Sequence, residues 1–290
     1  MNLMIFGAGF SGLAIARALA GECAFAGGTT RGEARFDALR AAGLSPFLYG
    51  GGSLTEDLSL ALAEVTHLLM SIAPDDDGDP VLENLTSGLK QVLPKLEWAG
   101  YLSTVGVYGD HGGAWVDEDT PCRPVSRRSV ARRAAEDHWA RLAAEAGVPL
   151  AIIRLSGIYG PGRNALKTMQ AGKARRLIKP GQVFNRIHVA DIGGATALLA
   201  RQCLGGIYNV TDDRPAPPQH VVEYAARLMG VAPPPEMDFD TADLSPMARS
   251  FYGENKRVAN ARIKAAGYEF LNPDYESGLD SLWHNGNWAG

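Results

Sequence analysis

Leu3-Met4-Ile5-Phe6-Gly7-Ala8-Gly9-Phe10-Ser11-Gly12-Leu13-Ala14-Ile15-Ala16-Arg17-Ala18-Leu19 lies near the start of the chain, and the fold is read from it. Four apolar residues suit a short buried strand, three glycines suit a turn, and the Ala/Leu-rich run suits a helix. A strand-turn-helix unit of this kind begins an α/β fold.

Outward from it the alternation continues. A second strand is expected at Cys23 to Ala26, a third around Phe47 to Tyr49, and a fourth at His67 to Ile72 after a helical stretch from Leu58 to Val65. Leu85, Leu89, Val92, Leu93 and Leu96 recur at helical spacing, and Gly100 to Val105 reads as a buried strand ending in small and polar residues. Arg128 to Ala146 is a long helix closed by Gly147, and Leu150 to Leu155 is another strand. Repeated βαβ units imply an α/β, Rossmann-type, doubly wound parallel sheet with right-handed crossovers. After Gly160 the texture changes to Pro161-Gly162, a basic stretch and the proline-rich segments around Pro217 and Pro234. We expect residues 1–160 to form a dinucleotide-binding domain. Residues 161–290 are expected to form mainly a smaller C-terminal substrate lobe, with 183–211 returning to the sheet.

Composition sets the outer bounds. The chain has 290 residues, 46% apolar and 21% charged, which is ordinary globular usage and excludes a disordered, collagen-like or coiled-coil protein. Twenty-eight basic against 32 acidic residues give a net charge of −4, which argues against a dedicated nucleic-acid binder. Cys23, Cys122 and Cys203 are odd in number and lack CxxC spacing, so neither a disulfide framework nor a zinc site is expected, which suits a reducing cytoplasm. The first 16 residues carry no charge, but they have no basic n-region or small-residue cleavage site. Arg17 ends the run short of a membrane span, so no targeting segment or membrane association is expected. The unusual entry is 34 glycines, above the ~7% of average usage.

GxGxxG matches many glycine-rich chains, but here it follows a strand and opens a helix. Gly7 can make the tight turn, Gly9 can let the backbone approach a pyrophosphate, and Gly12 can allow close helix-sheet packing. Phe10 and Ser11 stand in the first helical turn, whose amides are donors for phosphates. An NAD site usually carries an acid about 20 residues later, to bind the ribose. Here that place holds Gly28-Thr29-Thr30-Arg31. Two hydroxyls and a guanidinium can hold a 2′-phosphate that a carboxylate would repel. NADP(H) is therefore expected in preference to NAD(H), with Thr30 and Arg31 among its ligands. Glu33 reads as a solvated acid at a helix start.

Three further stretches are Ser103-Thr104-Val105-Gly106-Val107-Tyr108-Gly109, Arg154-Leu155-Ser156-Gly157-Ile158-Tyr159-Gly160-Pro161-Gly162 and Ile187-His188-Val189-Ala190-Asp191-Ile192. With them the chain resembles the extended and atypical short-chain dehydrogenase/reductase superfamily, and within it the NAD-dependent epimerase/dehydratase family. Gly206-Ile207-Tyr208-Asn209-Val210 fits the same pattern, so the resemblance covers nearly the whole chain.

The resemblance implies that Thr104 polarises the substrate oxygen, with Ser103 as its neighbour and alternative. It implies cofactor contacts at Ser71, Ile72, Ala73, Ser103, Ser156 and Gly157, and substrate contacts at Tyr159, Arg186 and His188. A Tyr and a Lys four residues apart, followed by an acid on the same helix, complete the family's site. Aligning that acid with Glu136 puts Arg128 at the Tyr position and Arg132 at the Lys position. Arginine stays protonated, so Arg128 cannot exchange a proton as a Tyr can, although it can stabilise an alkoxide. Arg132 can still donate to a ribose hydroxyl or a phosphate. Tyr108, Tyr159 and His188 are the candidates for the missing proton transfer. A homodimer would suit the family.

The other constellations read as structural. Asp75-Asp76-Asp77, with Asp79, reads as a solvated loop without a metal partner. Arg127, Arg128, Arg132 and Arg133 form a basic stripe that can serve an anionic substrate or a solvated face balanced by Glu136 and Asp137. Lys173, Arg175, Arg176 and Lys179 read as a solvated helix end. No GxSxG elbow occurs, and the six histidines show no zinc spacing. Two functions stay open. One is an oxidoreductase or epimerase/dehydratase-like enzyme acting on a hydroxyl or carbonyl carbon, for example of a sugar nucleotide. The other is a non-catalytic NADP(H)-binding redox sensor or scaffold.

Overall fold

A computed structural model describes residues 1–75, 78–245 and 249–290; Asp76 and Asp77 of the acidic run lie outside the described residues. The first half alternates as β1 (Asn2–Phe6), α1 (Phe10–Ala18), β2 (Phe25–Thr30), α2 (Phe36–Ala41), β3 (Ser45–Leu48), α3 (Glu56–Leu62), β4 (His67–Met70), α4 (Leu89–Val92) and β5 (Trp98–Thr104). The short β6 (Trp115–Val116) precedes α5 (Arg127–Ala146), β7 (Leu150–Leu155), β8 (Gly157–Tyr159) and α6 (Ala165–Gln170). Then come β9 (Arg176–Ile178), β10 (Arg186–His188), α7 (Val189–Arg201), β11 (Gly206–Val210) and α8 (Pro218–Met229). The chain closes with β12 (Glu236–Asp238), β13 (Arg257–Val258), α9 (Ala261–Ala265) and α10 (Tyr275–His284).

Seven strands form one parallel sheet in the order β11-β7-β5-β4-β1-β2-β3. Side chains alternate across it, so Leu3 and Ile5 of β1 enter one apolar layer while Met4 and Phe6 enter the other. Both faces are covered, as a parallel sheet requires. α5 ends as its sequence dictates, on Gly147 in the left-handed conformation at φ 64°.

The second strand corrects the sequence expectation: it runs from Phe25 through Thr30, not from Cys23 to Ala26. Gly27 and Gly28, which look like a strand end, lie inside it. A Cβ on Gly27 would stand 2.7 Å from Met4 Cε and one on Gly28 2.8 Å from Leu44 Cδ1, so neighbouring side chains fill the space glycine leaves. The basic stretch is a helix end only at Lys173, whose N–H donates to Thr168 O at 3.0 Å; Arg176 begins β9 and pairs with Glu223 and Glu236.

Within 183–211, β10 does not join the large sheet but pairs in parallel with β8. α7 packs on α1, and β11 forms the sheet edge beside β7. The β9–β12 pair, α6, α8 and α10 build the smaller lobe, with Leu166, Ala225, Tyr275 and Leu279 in its core.

Candidate functional site

From β1 the chain moves to β2 on one side, while β4 lies on the other, so a crevice opens at the carboxyl ends of β1 and β4. Gly7 turns there with φ 81°, and a Cβ on it would stand 2.8 Å from Ile72 Cγ1 and 3.0 Å from Ile72 N. At Gly9 a Cβ would meet only Gly7 O at 3.9 Å, so its backbone faces open space. Gly12 brings α1 onto β1, its Cβ position 3.2 Å from Ile5 Cγ2.

The turn is fastened from β2. Gly7 N–H donates to Thr29 Oγ1 at 2.8 Å, and Ala8 N–H donates to Thr29 O at 2.9 Å. Thr29 is buried and its hydroxyl accepts from the turn, so of the two hydroxyls expected to face a phosphate only that of Thr30 stands at the strand end. Arg31 is exposed and makes no side-chain hydrogen bond among the described residues. Ser11 likewise keeps its hydroxyl uncommitted among them, and the Phe10 ring approaches Gly160. Ser71 N–H donates to Phe6 O at 2.8 Å, which sets Ser71, Ile72 and Ala73 beside the turn. A left-handed glycine packed on Ile72, an open glycine close by and the free amides of the first turn of α1 fit a dinucleotide pyrophosphate.

At the end of β5, Thr104 Oγ1 accepts from Gly106 N–H at 3.1 Å, which leaves its own hydrogen available to donate. Ser103 points the other way. Its hydroxyl donates to Glu136 Oε1 at 2.5 Å in the protein interior, so its cofactor role is corrected to a structural one. Arg154 holds the same carboxylate through Nη2 at 2.7 Å and Nε at 3.1 Å, and Arg133 reaches it at 3.0 Å. Arg154 Nη1 donates to the Tyr108 hydroxyl at 3.0 Å, which in turn donates to Asn209 Oδ1 at 2.8 Å. Burial pushes the Tyr108 phenol up to about 12. Sealed from solvent and engaged on both sides, Tyr108 is a structural residue and not the proton donor considered from sequence.

Arg128 and Arg132, one helical turn apart, part ways. Arg128 is exposed in the first turn of α5, with no side-chain hydrogen bond among the described residues. Arg132, one turn on, donates from Nη1 to Leu102 O at 2.6 Å and lies 5.7 Å from the centre of the Tyr101 ring. Arg133 is balanced by Glu136 and Asp137.

Beyond β7, the Ser156 hydroxyl is buried without a partner among the described residues, while Gly157 is exposed and donates its N–H to Asn185 O at 3.0 Å. His188 caps α7, its Nδ1 accepting from Ala190 N–H at 3.2 Å, and its ring meets Tyr159 edge-on at 5.1 Å. Burial lowers the His188 pKa, and the buried ring packs against Tyr159. Tyr159 and Arg186 line a cleft of about 1090 Å³ together with Arg163, Arg175, Phe184 and Tyr252. Burial raises the Tyr159 phenol, whose hydroxyl donates to Asp274 O at 3.4 Å. Among the described residues no group of three His, Cys, Asp or Glu is placed to hold a metal ion, and no helix is long and apolar enough to cross a membrane.

The model of the NAD dependent epimerase/dehydratase family matches residues 89–210. A functionally unknown conserved protein from Silicibacter pomeroyi DSS is 46% identical, with a TM-score of 0.88 over 98% of this chain and 99% of that one. This chain belongs to the NAD dependent epimerase/dehydratase family. Protein YeeZ of Escherichia coli (strain K12) is 33% identical over 198 residues, 67% of this chain. The match spans 64% of that protein's length. The fold is shared at 18% identity with UDP-glucuronic acid 4-epimerase from Bacillus cereus in complex with NAD, at TM-score 0.74, covering 98% of both chains. It is also shared at 18% identity with human epimerase family protein SDR39U1 (isoform 2) with NADPH, at TM-score 0.69, covering 98% of this chain and 100% of that one.

In this epimerase/dehydratase family member the sequence motifs mark the sheet edge, and they leave the small lobe unmarked. Phe184, Tyr252 and Arg163 reach the cleft from segments with no period or motif, so no sequence signal announces them. Arg154, inside an apolar strand, is a different case: a lone charge in Leu-Ala-Ile-Ile-Arg-Leu demands a buried partner, and Glu136 supplies it.

Proposed function

We propose that the protein binds NADP(H) in preference to NAD(H) and acts as an oxidoreductase or epimerase/dehydratase-type enzyme on a hydroxyl or carbonyl carbon of a small molecule. The observation that carries the reading is the contrast between Gly7 and Gly9, one packed on Ile72 and one open to the crevice. Gly7, Gly9, Ser11 and Gly12 would hold the pyrophosphate, and Thr30 with Arg31 would hold a 2′-phosphate. The end of β2 carries no carboxylate to repel it. A bound nicotinamide supplies or accepts hydride at the substrate carbon. Thr104 donates its free hydroxyl hydrogen to the substrate oxygen, and Arg132 offers its remaining donors to a ribose hydroxyl. Arg128 adds positive charge near a developing alkoxide without giving up a proton. A sugar nucleotide is one form such a substrate takes among family relatives. The three unpaired thiols, Cys23, Cys122 and Cys203, support a place in the reducing cytoplasm.

Calorimetric titration tests the cofactor. NADP+ should bind at least tenfold more tightly than NAD+, and Arg31→Ala should erase the difference; tighter binding of NAD+ overturns the preference. A panel of alcohols and carbonyl compounds, followed by the absorbance of the reduced nicotinamide, tests turnover, and Thr104→Ala should abolish it.

One observation favours a second reading, a non-catalytic NADP(H)-binding sensor: the Tyr108 phenol is sealed inside the protein. Under it, NADP+ and NADPH differ in affinity and in the shape they stabilise, with no turnover on any substrate. Equal affinities without a structural response exclude it.

A further inference from the structure

The cleft lined by β8, α6, β9 and β10 has walls that a polyhydroxylated sugar does not need. Ile158, Leu177, Phe184, Leu244, Phe251 and Tyr252 give it an apolar surface. Phe184 and Tyr252 meet edge-on at 5.1 Å, and Phe239 stacks behind Tyr252 at 4.7 Å, so the aromatic wall is backed by the fold.

Its polar residues are largely spent on the protein itself. Asn164 Nδ2 donates to Gly160 O and Trp288 O, both at 2.8 Å, and its Oδ1 accepts from Lys167 N–H at 2.9 Å. Asn185 Nδ2 donates to Lys256 O and its Oδ1 accepts from Val258 N–H, both at 2.9 Å. The Thr168 hydroxyl donates to Asn164 O at 2.9 Å. Amides and hydroxyls committed in this way have few donors left for the hydroxyls of a sugar ring.

Arg186 is the exception. It is half-buried, yet no carboxylate lies within 4.0 Å of it among the described residues. Nη1 alone is occupied, donating to Phe184 O at 3.0 Å and Ala216 O at 3.1 Å. Nε and Nη2 have no acceptor among the described residues, and the side chain lines the cleft. The Tyr252 hydroxyl, on the same wall, feels the Arg186 charge and makes no hydrogen bond among them. A half-buried guanidinium with its donor edge free along the cleft, on the same wall as a free phenol, suits an anionic acceptor. Arg163 and Arg175 add positive charge at the exposed rim, where Asp243 is the acid.

We infer that the cleft takes a substrate with an apolar or aromatic body and one terminal oxyanion, a carboxylate or a phosphate monoester, held by Arg186 and Tyr252, in place of a sugar nucleotide. This rests on the reading of the cleft as the substrate site of an NADP(H)-binding protein.

The test is calorimetric titration of the full chain, saturated with NADP+, with benzoate, phenyl phosphate, benzyl alcohol and UDP-glucose. Benzoate or phenyl phosphate should bind at least tenfold more tightly than benzyl alcohol, and the stronger of the two identifies the oxyanion. Arg186→Met should remove that advantage, and Arg186→Lys, which keeps the charge without the planar fork, should lose most of it. Retained NADP+ binding shows that either variant is folded. Should both variants unfold, the comparison of charged and neutral aryl probes on the unaltered protein still decides. Benzyl alcohol binding as tightly as the anions, or UDP-glucose binding more tightly than either, overturns the inference. Failure of NADP+ itself to bind strikes the cofactor reading instead.

Discussion

Thr29 accepts the amide hydrogen of Gly7 at 2.8 Å, so the second strand of the sheet holds the glycine turn in place through a side chain. Thr29→Val keeps the shape and deletes the acceptor. We expect a loss of about 1–3 kcal/mol in stability by chemical denaturation, since Gly7 N–H loses its partner, together with weaker dinucleotide binding. A variant with unchanged stability and unchanged binding would show that the turn needs no such fastening.

Gly7 and Gly9 should fail differently when each is replaced by Ala. Gly7→Ala forces a side chain into a left-handed backbone at φ 81° and onto Ile72, costing about 1–2 kcal/mol for the backbone alone. Gly9→Ala places a methyl group in open space, so stability should stay within about 0.5 kcal/mol. Dinucleotide binding should fall in both. Thermal melts combined with NADP+ titration separate the two effects.

Glu136 and Arg154 form a buried pair with a contact of 2.7 Å, and neither side chain has solvent to fall back on. Removing one partner strands the other. Arg154→Met should cost about 3–5 kcal/mol in urea denaturation, and Glu136→Gln should cost a comparable amount. The double variant should be less damaged than the sum of the two, because it leaves no lone charge.

Asp212 gives the protein a pH signature. Burial raises its carboxyl to about 8, opposed by the Arg214 amide and by Arg186, and reinforced by Asp274 and Asp213. Between the ordinary carboxylate range and about 8 the folded chain keeps this proton and the unfolded chain does not. Stability from this group is therefore complete at low pH and falls as pH rises through that window, by at most about 1.4 kcal/mol per unit. Asp212→Asn should flatten the slope in denaturation series across the window. An identical slope in the variant would assign the pH dependence elsewhere.

Much of this architecture is legible locally. The strand-turn-helix at residues 3–19, the strand Leu150–Leu155 and the helix closed by Gly147 follow from hydrophobic period and turn chemistry, which act between residues near in sequence. The second strand is misplaced for the same reason. Gly27 and Gly28 look like a break until Met4 and Leu44, from other strands and loops, are seen to fill the space beside them.

By itself, then, the sequence determined the parallel sheet and the glycine turn that joins its first strand to the first helix. Tertiary structure alone decided which hydroxyls remain free. It turned Ser103 to Glu136, Thr29 to Gly7 and Tyr108 to Arg154, and it left Thr104 with a hydrogen to give. It also brought Arg186 and Tyr252 to one cleft wall. The physical reason is that a polar side chain's function depends on its partners, and in the interior those partners come from strands far apart in the chain.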